Sequence, residues 1–395
     1  MSKKIAQAWA YSLPSTLALM VPFDLLASLA MDVYLPVVPQ MPVALTTSQS
    51  LIQLTLSAYI LILGLGQIIF GPISDWIGRR PVVLGGAGIF AIASFLLAIA
   101  SSGGEFLALR VFQALGASAA LVGTFATVRD VFADTPESTT IYGLFGSILA
   151  FVPALGPILG AVVALTLGWR AIFAMLGVMA VLALFHAWPR WHETRPKNTW
   201  RQGPTISSIL RSQSFWVYTV GFGAAMGAFF VFFSIAPRVL IDEAGWSQVS
   251  FSLAFASVAL VMIITTRFIG IFVKKWGIPG SFVRGIFVMA GGAIVLGVLS
   301  ILTKASFVSF VMPMWIIAVG IVFVVSVTAN GALRDFGDAA GTAVAMYYSI
   351  QSLIVSGLGT LSVLALDGAT AWPLVAYCLV MSTVGIAGYA TLKQK

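Results

Sequence analysis

Three ionisable residues lie deep inside apolar stretches of this sequence: Asp24 and Asp32 in one, Arg110 in another. A charge near the centre of a bilayer costs at least about 2.5–3.5 kcal/mol, so it is kept where it faces a partner or a cavity. The two aspartates are eight residues apart, about two helical turns, and so project from nearly the same face of a helix. Arg110 keeps its proton at any physiological pH and cannot carry one. An aspartate can, because burial and a neighbouring arginine push its protonation in opposite directions. The three residues together suggest a site that takes up and releases a proton. The plainer role for Asp24 and Arg110 is a pair that holds two helices together. For Asp32, just before Tyr34 and Pro36, it is to orient a helix end.

Such residues need long helices around them. Of 395 residues, 59% are hydrophobic and 9% charged, against about 25% charged in a soluble domain. With a mean hydropathy of +1.02, the surface must take lipid as its solvent. Runs bounded by Gly, Pro and charge predict six helices near 14–38, 49–73, 81–101, 105–128, 139–165 and 169–190. Six more are predicted near 213–238, 247–272, 282–302, 306–330, 340–366 and 370–392. Twelve spans at roughly 20 residues each leave short loops and exclude a sizeable soluble catalytic domain. The long polar interval carries Arg190, Arg195, Lys197, Arg201 and Arg211. The organisation read from this is an N-terminal six-helix half over 1–190, a basic linker over 191–212 with room for a short interfacial helix, and a C-terminal half over 213–395. The fold class is an all-α integral membrane protein with twelve transmembrane helices in two pseudo-symmetric halves. Gly71 and Gly78 are seven apart after the second helix, and Gly270 and Gly277 are seven apart after the eighth, a faint trace of that repeat.

The net charge of +8 invites a nucleic-acid partner, and its placement argues against one. Lys3, Lys4, Arg79, Arg80, Arg129, the linker cluster, Lys274, Lys275, Arg334, Lys393 and Lys395 fall on one side of the predicted spans. The other side has Arg170, Arg238 and Lys304, with Glu105, Asp242, Glu243 and Asp367. This bias puts both termini and the linker in the cytoplasm. The apolar run after Lys4 continues past Pro36 without a small-residue cleavage site and is read as a retained first span. Cys378 is the single cysteine, so no intrachain disulfide is possible. His186 and His192, beside Trp188 and Trp191, read as interfacial, and no metal or other cofactor is expected. There is no phosphate-binding Gly-x-x-x-x-Gly-Lys-Ser/Thr run, which excludes transport driven by ATP hydrolysis within the chain.

Three runs combine charge, glycine and proline at membrane boundaries. The first is Gly71-Pro-Ile-Ser-Asp75-Trp76-Ile-Gly78-Arg79-Arg80-Pro81, expected as a loop in which glycines allow close approach and Asp75 and the arginines latch one conformation. The second, Arg110-Val-Phe-Gln113-Ala-Leu-Gly116, places Arg110 and Gln113 one turn apart. The third, Gly156-Pro157-Ile-Leu-Gly160, joins a small-residue packing face to a proline where the helix can bend. The three resemble, in order, the loop, helix-four and helix-five motifs of the major facilitator superfamily, the last being the form found in drug/proton antiporters. Trp76 stands where the loop motif commonly has arginine, so part of its charge relay is missing here.

The stretches Pro22–Pro36, Thr124–Asp130, Phe229–Pro237, Ser326–Leu333 and Thr370–Pro373 further resemble the phenicol exporters, the florfenicol and chloramphenicol efflux proteins of Gram-negative bacteria. The resemblance implies proton-coupled drug efflux across the inner membrane, with Asp24 and Arg110 tied to drug binding and proton coupling. Asp32 matches a second acidic position of related multidrug antiporters. Tyr34, Gln113, Phe229, Phe233, Asn330, Tyr347 and Gln351 complete the candidate drug-binding residues, pockets for small ligands being apolar with few polar anchors. The expected partners are a phenicol drug, protons and the bilayer, with the protein working as a monomer. A solute/proton symporter of the same fold stays open as an alternative. So does a polytopic membrane enzyme, although no nucleophile–base set is evident.

Overall fold

Within lipid each backbone N–H and C=O must find its partner in its own segment, so apolar runs of this length become helices. The computed structural model describes residues 9, 11–132, 136–195, 206–334, 336 and 340–393; Lys3, Lys4, Lys197, Arg201, Lys395 and the side chain of Lys393 lie outside them. The chain divides into two compact units, Met1–Arg201 and Gln202–Lys395. Unit 1 contains α1 (Leu13–Asp32), α2 (Gln49–Ile77), α3 (Arg79–Ile99), α4 (Gly103–Phe132), α5 (Pro136–Leu167) and α6 (Trp169–Ala187). Unit 2 opens with the short helix Ile206–Arg211 and α7 (Gln213–Pro237). The continuous stretch Gln248–Leu302 breaks at Gly277, whose φ of 69° is not helical, and so forms two arms, α8 (248–276) and α9 (278–302). Then come α10 (Met312–Leu333), α11 (Ala340–Ala365) and α12 (Trp372–Lys393).

Among the described residues there is no strand, and ten helical stretches are long and apolar enough to cross a membrane. Gln248–Leu302 counts once among them, and α5 adds a shorter apolar piece, Phe151–Leu167. Counting the two arms separately and including α5 gives the twelve helices expected.

Helix ends follow local chemistry. The side chains of Ser48, Ser212 and Ser247 accept hydrogen bonds from the backbone amides of Leu51, Phe215 and Ser250, capping α2, α7 and α8. Two expected boundaries are corrected. α1 stops at Asp32 rather than running to 38, and Leu35–Gln40 tightens into a 3-10 turn, because Pro36 has no amide to continue the ladder. α2 runs on through Pro72 to Ile77, so most of the expected loop is its last two turns. The break is Gly78 alone, at φ 112°.

The repeat is plain in the packing inside each unit. In unit 1, α3 crosses α4 at glycines: a Cβ on Gly116 would lie 2.5 Å from the Phe90 amide nitrogen and 2.7 Å from the Gly86 carbonyl oxygen. In unit 2, α9 meets α10 the same way, with a Cβ on Gly320 lying 2.6 Å from the Met289 amide nitrogen and 2.7 Å from the Gly285 carbonyl oxygen. Gly78, Gly86 and Phe90 recur at constant offset as Gly277, Gly285 and Met289. Both Gly78 and Gly277 take the left-handed φ that favours glycine. Without a hydrophobic force between helices in lipid, such backbone-to-backbone approach is what holds them.

Gly116→Ala and Gly320→Ala therefore overpack equivalent crossings and should each destabilise by about 1–3 kcal/mol. Gly85→Ala on α3, where a Cβ meets nothing within 4 Å, should not. Thermal unfolding of the purified protein in detergent separates the three.

Candidate functional site

Arg110 sits on α4 with 0% exposure, between α1 and α2. Its Nη1 donates to the Ala30 carbonyl of α1 (3.1 Å) and to Gln113 Oε1 (2.6 Å). Gln113 Nε2 in turn donates to Ser94 Oγ on α3 (2.8 Å), which donates to the Phe90 carbonyl (2.6 Å). The Arg110 Nε and Nη2 have no hydrogen-bond acceptor. Aromatic faces take their place: the guanidinium carbon lies 4.4 Å from the Tyr59 ring centre and 5.3 Å from that of Tyr34. A desolvated cation over such rings gains about 2 kcal/mol or more. Both rings are pinned. The Tyr59 hydroxyl donates to the Ala27 carbonyl (2.8 Å), and the Tyr34 hydroxyl lies 3.4 Å from Thr55 Oγ1.

The expected Asp24–Arg110 pair is absent: among the described residues no ion pair joins Arg110 to either aspartate. The reason is register. Arg110 engages α1 at Ala30, and the rise of a helix puts Asp24 about 9 Å further along the axis. Asp24 is buried, and its Oδ2 has no hydrogen-bond partner. Asp32 is buried against α5, where a Cβ on Gly156 would lie 2.7 Å from its own Cβ, while Gly160 admits the Val33 carbonyl just beyond it. α5 runs as helix through Pro157. Gly156 and Gly160 thus seat the end of α1.

The run at Gly71–Arg80 forms a second cluster. Gly71 faces open space, so the close approach expected of the spaced glycines is not made there. Arg79, nearly fully buried, donates through Nε to Asp130 Oδ2 at the end of α4 (2.7 Å) and through Nη1 to Asp75 Oδ1 (2.5 Å). The Glu193 carboxylate lies across the start of α3. Its Oε1 accepts from the amides of Arg79 (2.8 Å), Thr194 (3.1 Å) and Arg195 (2.9 Å), and its Oε2 from that of Arg80 (3.1 Å). A Cβ on Gly78 would collide with that carboxylate. Arg80 Nη2 donates to the Trp188 carbonyl (2.9 Å) and Arg195 Nη1 to the Trp76 carbonyl, while the Trp76 side chain is 79% exposed. The segment after α6 is thereby bound to the α2–α3 turn.

In unit 2 the aromatic candidates divide. Phe233 is buried and Phe229 half-buried, both 6.0 Å from Phe255 of α8, so this run packs the unit's interior. Tyr347 is buried, stacks on Phe222 at 4.9 Å and donates to Thr328 Oγ1 (2.9 Å). Tyr348 beside it is 40% exposed. Gln351 is buried, with Ser352 Oγ 3.5 Å from its Oε1, and Asn330 is exposed at the end of α10.

Sequence reading missed Tyr59, Ser94, Asp130 and Glu193 as parts of these clusters. Two of them carried a signal. Asp130 is an acid in the last turn of a helix, where the dipole disfavours it, so a cation is called for. Glu193 is the single acid between Arg190 and Arg211. Glu193→Ala strips four amides of their acceptor and should cost about 1–2 kcal/mol in thermal unfolding. Asp75→Asn, removing an exposed partner of Arg79, should cost about 0–1 kcal/mol.

Comparison with known proteins agrees with this architecture. The family model described as Major Facilitator Superfamily matches residues 24–360. A chloramphenicol resistance protein of Pseudomonas aeruginosa is 49% identical over 95% of this chain and 90% of its own. The MFS-type transporter YdgK of Bacillus subtilis (strain 168) is 30% identical over 94% of this chain and 93% of its own. The multidrug resistance protein MdtL of Salmonella paratyphi C is 28% identical over 68% and 69%. Among solved structures, a bacterial homolog to the human lysosomal transporter Spinster, inward-facing and occupied, superposes with a TM-score of 0.75 over 96% of each chain. At 16% identity that likeness is one of fold. The chain belongs to the major facilitator superfamily, and it is a multi-pass membrane transporter rather than an enzyme.

Proposed function

We propose that the protein exports phenicol antibiotics, chloramphenicol and florfenicol, across the bacterial inner membrane in exchange for protons, by alternating access. The observation that carries the substrate is the 49% identity, over 95% of the chain, to a chloramphenicol resistance protein. The working arrangement is a monomer with two six-helix halves, 1–190 and 213–395. The basic linker 191–212 and both termini face the cytoplasm, as the charge bias of the loops supports.

The buried, unpartnered oxygen of Asp24 supports a carboxylate kept available for a ligand or a proton. A neutral drug donates its hydroxyl or amide N–H groups to the ionised Asp24. Protonation of Asp24 from the outer side removes that acceptor and releases the drug, and the protonated form returns inward to lose its proton. Arg110 acts at a distance from this exchange. Its fixed charge, held by Gln113, Tyr34 and Tyr59, locks α1 at Ala30 and so sets where Asp24 stands. Asp32, seated on Gly156, is the second proton-accessible carboxyl. In unit 2 the exposed Tyr348, set against Phe222 and Tyr347, offers an aromatic surface for the drug ring, and Gln351 a polar anchor.

Exchange of a neutral drug for a proton moves net charge, so the membrane potential contributes about 2.3 kcal/mol per 100 mV beside the pH gradient. Cells expressing the wild type should hold little labelled chloramphenicol, and an uncoupler should raise it several-fold. Asp24→Asn and Arg110→Ala should start high and stay there. Equal accumulation in every strain would remove the substrate assignment and leave the family intact.

A further inference from the structure

α6 carries a ridge at every fourth position: Val178, Leu182, His186 and, just past the helix end, Arg190. Residues so spaced share one face. Val178 and Leu182 are exposed, as is Phe185 one turn beyond Leu182, and Trp188 stands exposed at the boundary. In a membrane protein these side chains touch acyl chains, with tryptophan at headgroup level.

The ridge ends at a cavity of about 170 Å³ lined by Tyr11, Ser15, Ala18, Leu19, His186 and Arg190. That volume is well above the roughly 10–15 Å³ that a single water needs on the same measure, and leaves room for a phosphate group. It lies inside unit 1, between the start of α1 and the end of α6, and its donors are fixed from behind. Arg190 Nη1 donates to the His186 carbonyl (3.2 Å) and lies 3.4 Å from His186 Nδ1. The Tyr11 hydroxyl donates to the Arg190 carbonyl (2.9 Å), lies 3.0 Å from His192 Nε2, and its ring stacks on that of His192 at 5.7 Å. Trp9, Phe23 and Trp191 wedge edge to face beneath, at 5.5 and 5.6 Å, and hold the two chain segments together.

Charge decides what such a cavity takes. Arg190 makes no ion pair among the described residues. The nearest acid in sequence, Glu193, is already committed to four backbone amides of the α2–α3 turn and the chain after it. The cavity therefore presents a guanidinium, an imidazole and a serine hydroxyl without a competing carboxylate, at the end of an apolar ridge.

We infer that this cavity binds the phosphodiester headgroup of an anionic membrane phospholipid, with an acyl chain lying along Leu182 and Val178. Arg190 and Ser15 hold the phosphate oxygens, and His186 closes the side toward the helix. A free phosphate offers the same oxygens but nothing for the ridge, which is why the lipid is the better match. Basic pockets between helices near a membrane surface recognise headgroups in this way.

The test is native mass spectrometry of the full-length protein in detergent, with phosphatidylglycerol and phosphatidylcholine added in equal amounts. Wild type should retain phosphatidylglycerol about five-fold over phosphatidylcholine, the factor expected of one well-placed arginine. Arg190→Gln should bring the ratio to near parity. Ser15→Phe, which fills the cavity and leaves every charge in place, should do the same. Arg238→Gln, far along the chain in unit 2, should leave the ratio unchanged. Retention of the preference in both Arg190→Gln and Ser15→Phe would overturn the inference. So would a wild type that binds inorganic phosphate at this cavity and shows no preference between the two lipids, which would mark a free-phosphate site. Each reading is a lipid ratio rather than a transport rate, so it stands or falls apart from the phenicol assignment.

Discussion

A permanent cation enclosed in an apolar helical unit must be surrounded or the unit comes apart, and Arg110 sets that condition here. One of its nitrogens reaches the α1 carbonyl of Ala30, a second bond of the same nitrogen goes to Gln113, and the guanidinium as a whole lies against the rings of Tyr59 and Tyr34. Each contact fixes a helix. Tyr59 ties α2 to α1 at Ala27, Gln113 ties α4 to α3 through Ser94, and Tyr34 ties the 3-10 turn region to Thr55. The depth and rotation of α1 follow from this set. Asp24 and Asp32 inherit their positions from it without touching the arginine.

The glycine crossings supply what this polar cluster cannot. Gly86 with Gly116, and Gly285 with Gly320, let α3 and α4, and α9 and α10, approach backbone to backbone in their own units. A helix held that closely is a rigid wall. The polar residues on α4 can then be placed to within a hydrogen bond because the helix behind them does not give. Gly78 and Gly277 share a positive φ just before α3 and α9, where the need is for backbone conformation rather than for space at Gly277. At Gly78 the space is used further, by the Glu193 carboxylate.

Much of this was legible in the sequence because lipid imposes a simple rule. Apolar runs of about 20 residues must be helices, and the break between α8 and α9 falls at the Gly277 that the spaced-glycine pattern had singled out. Intramembrane charges must be structured, and Arg110 with Gln113 one turn later reads as a pair on a shared face. What could not be read was register between helices. Nothing in the linear order says that Arg110 meets α1 at Ala30 instead of Asp24, since one helix slid by two turns gives the same pattern of apolar and polar faces. Tyr59 is hidden for a related reason, being one aromatic in a uniformly apolar run. The segment after Gly71 looked like a loop because Gly and Pro usually end helices, yet Pro72 is exposed in lipid-facing helix and α2 simply continues. Phe229 and Phe233, a row of aromatics on α7, lie within 6.0 Å of Phe255, a packing partner that the linear order does not reveal.

The central claim is that Asp24 exchanges its proton for a drug while Arg110 only fixes the helix that bears it. Its most direct test is proton movement in proteoliposomes holding the purified protein, followed with a pH-sensitive dye as chloramphenicol is added on one side. The account predicts a drug-dependent proton flux in the wild type, none in Asp24→Asn, and a reduced flux of unchanged drug dependence in Arg110→Lys, which keeps the charge but lacks the planar guanidinium that lies over Tyr59 and Tyr34. A drug-dependent flux in Asp24→Asn equal to that of the wild type would contradict it.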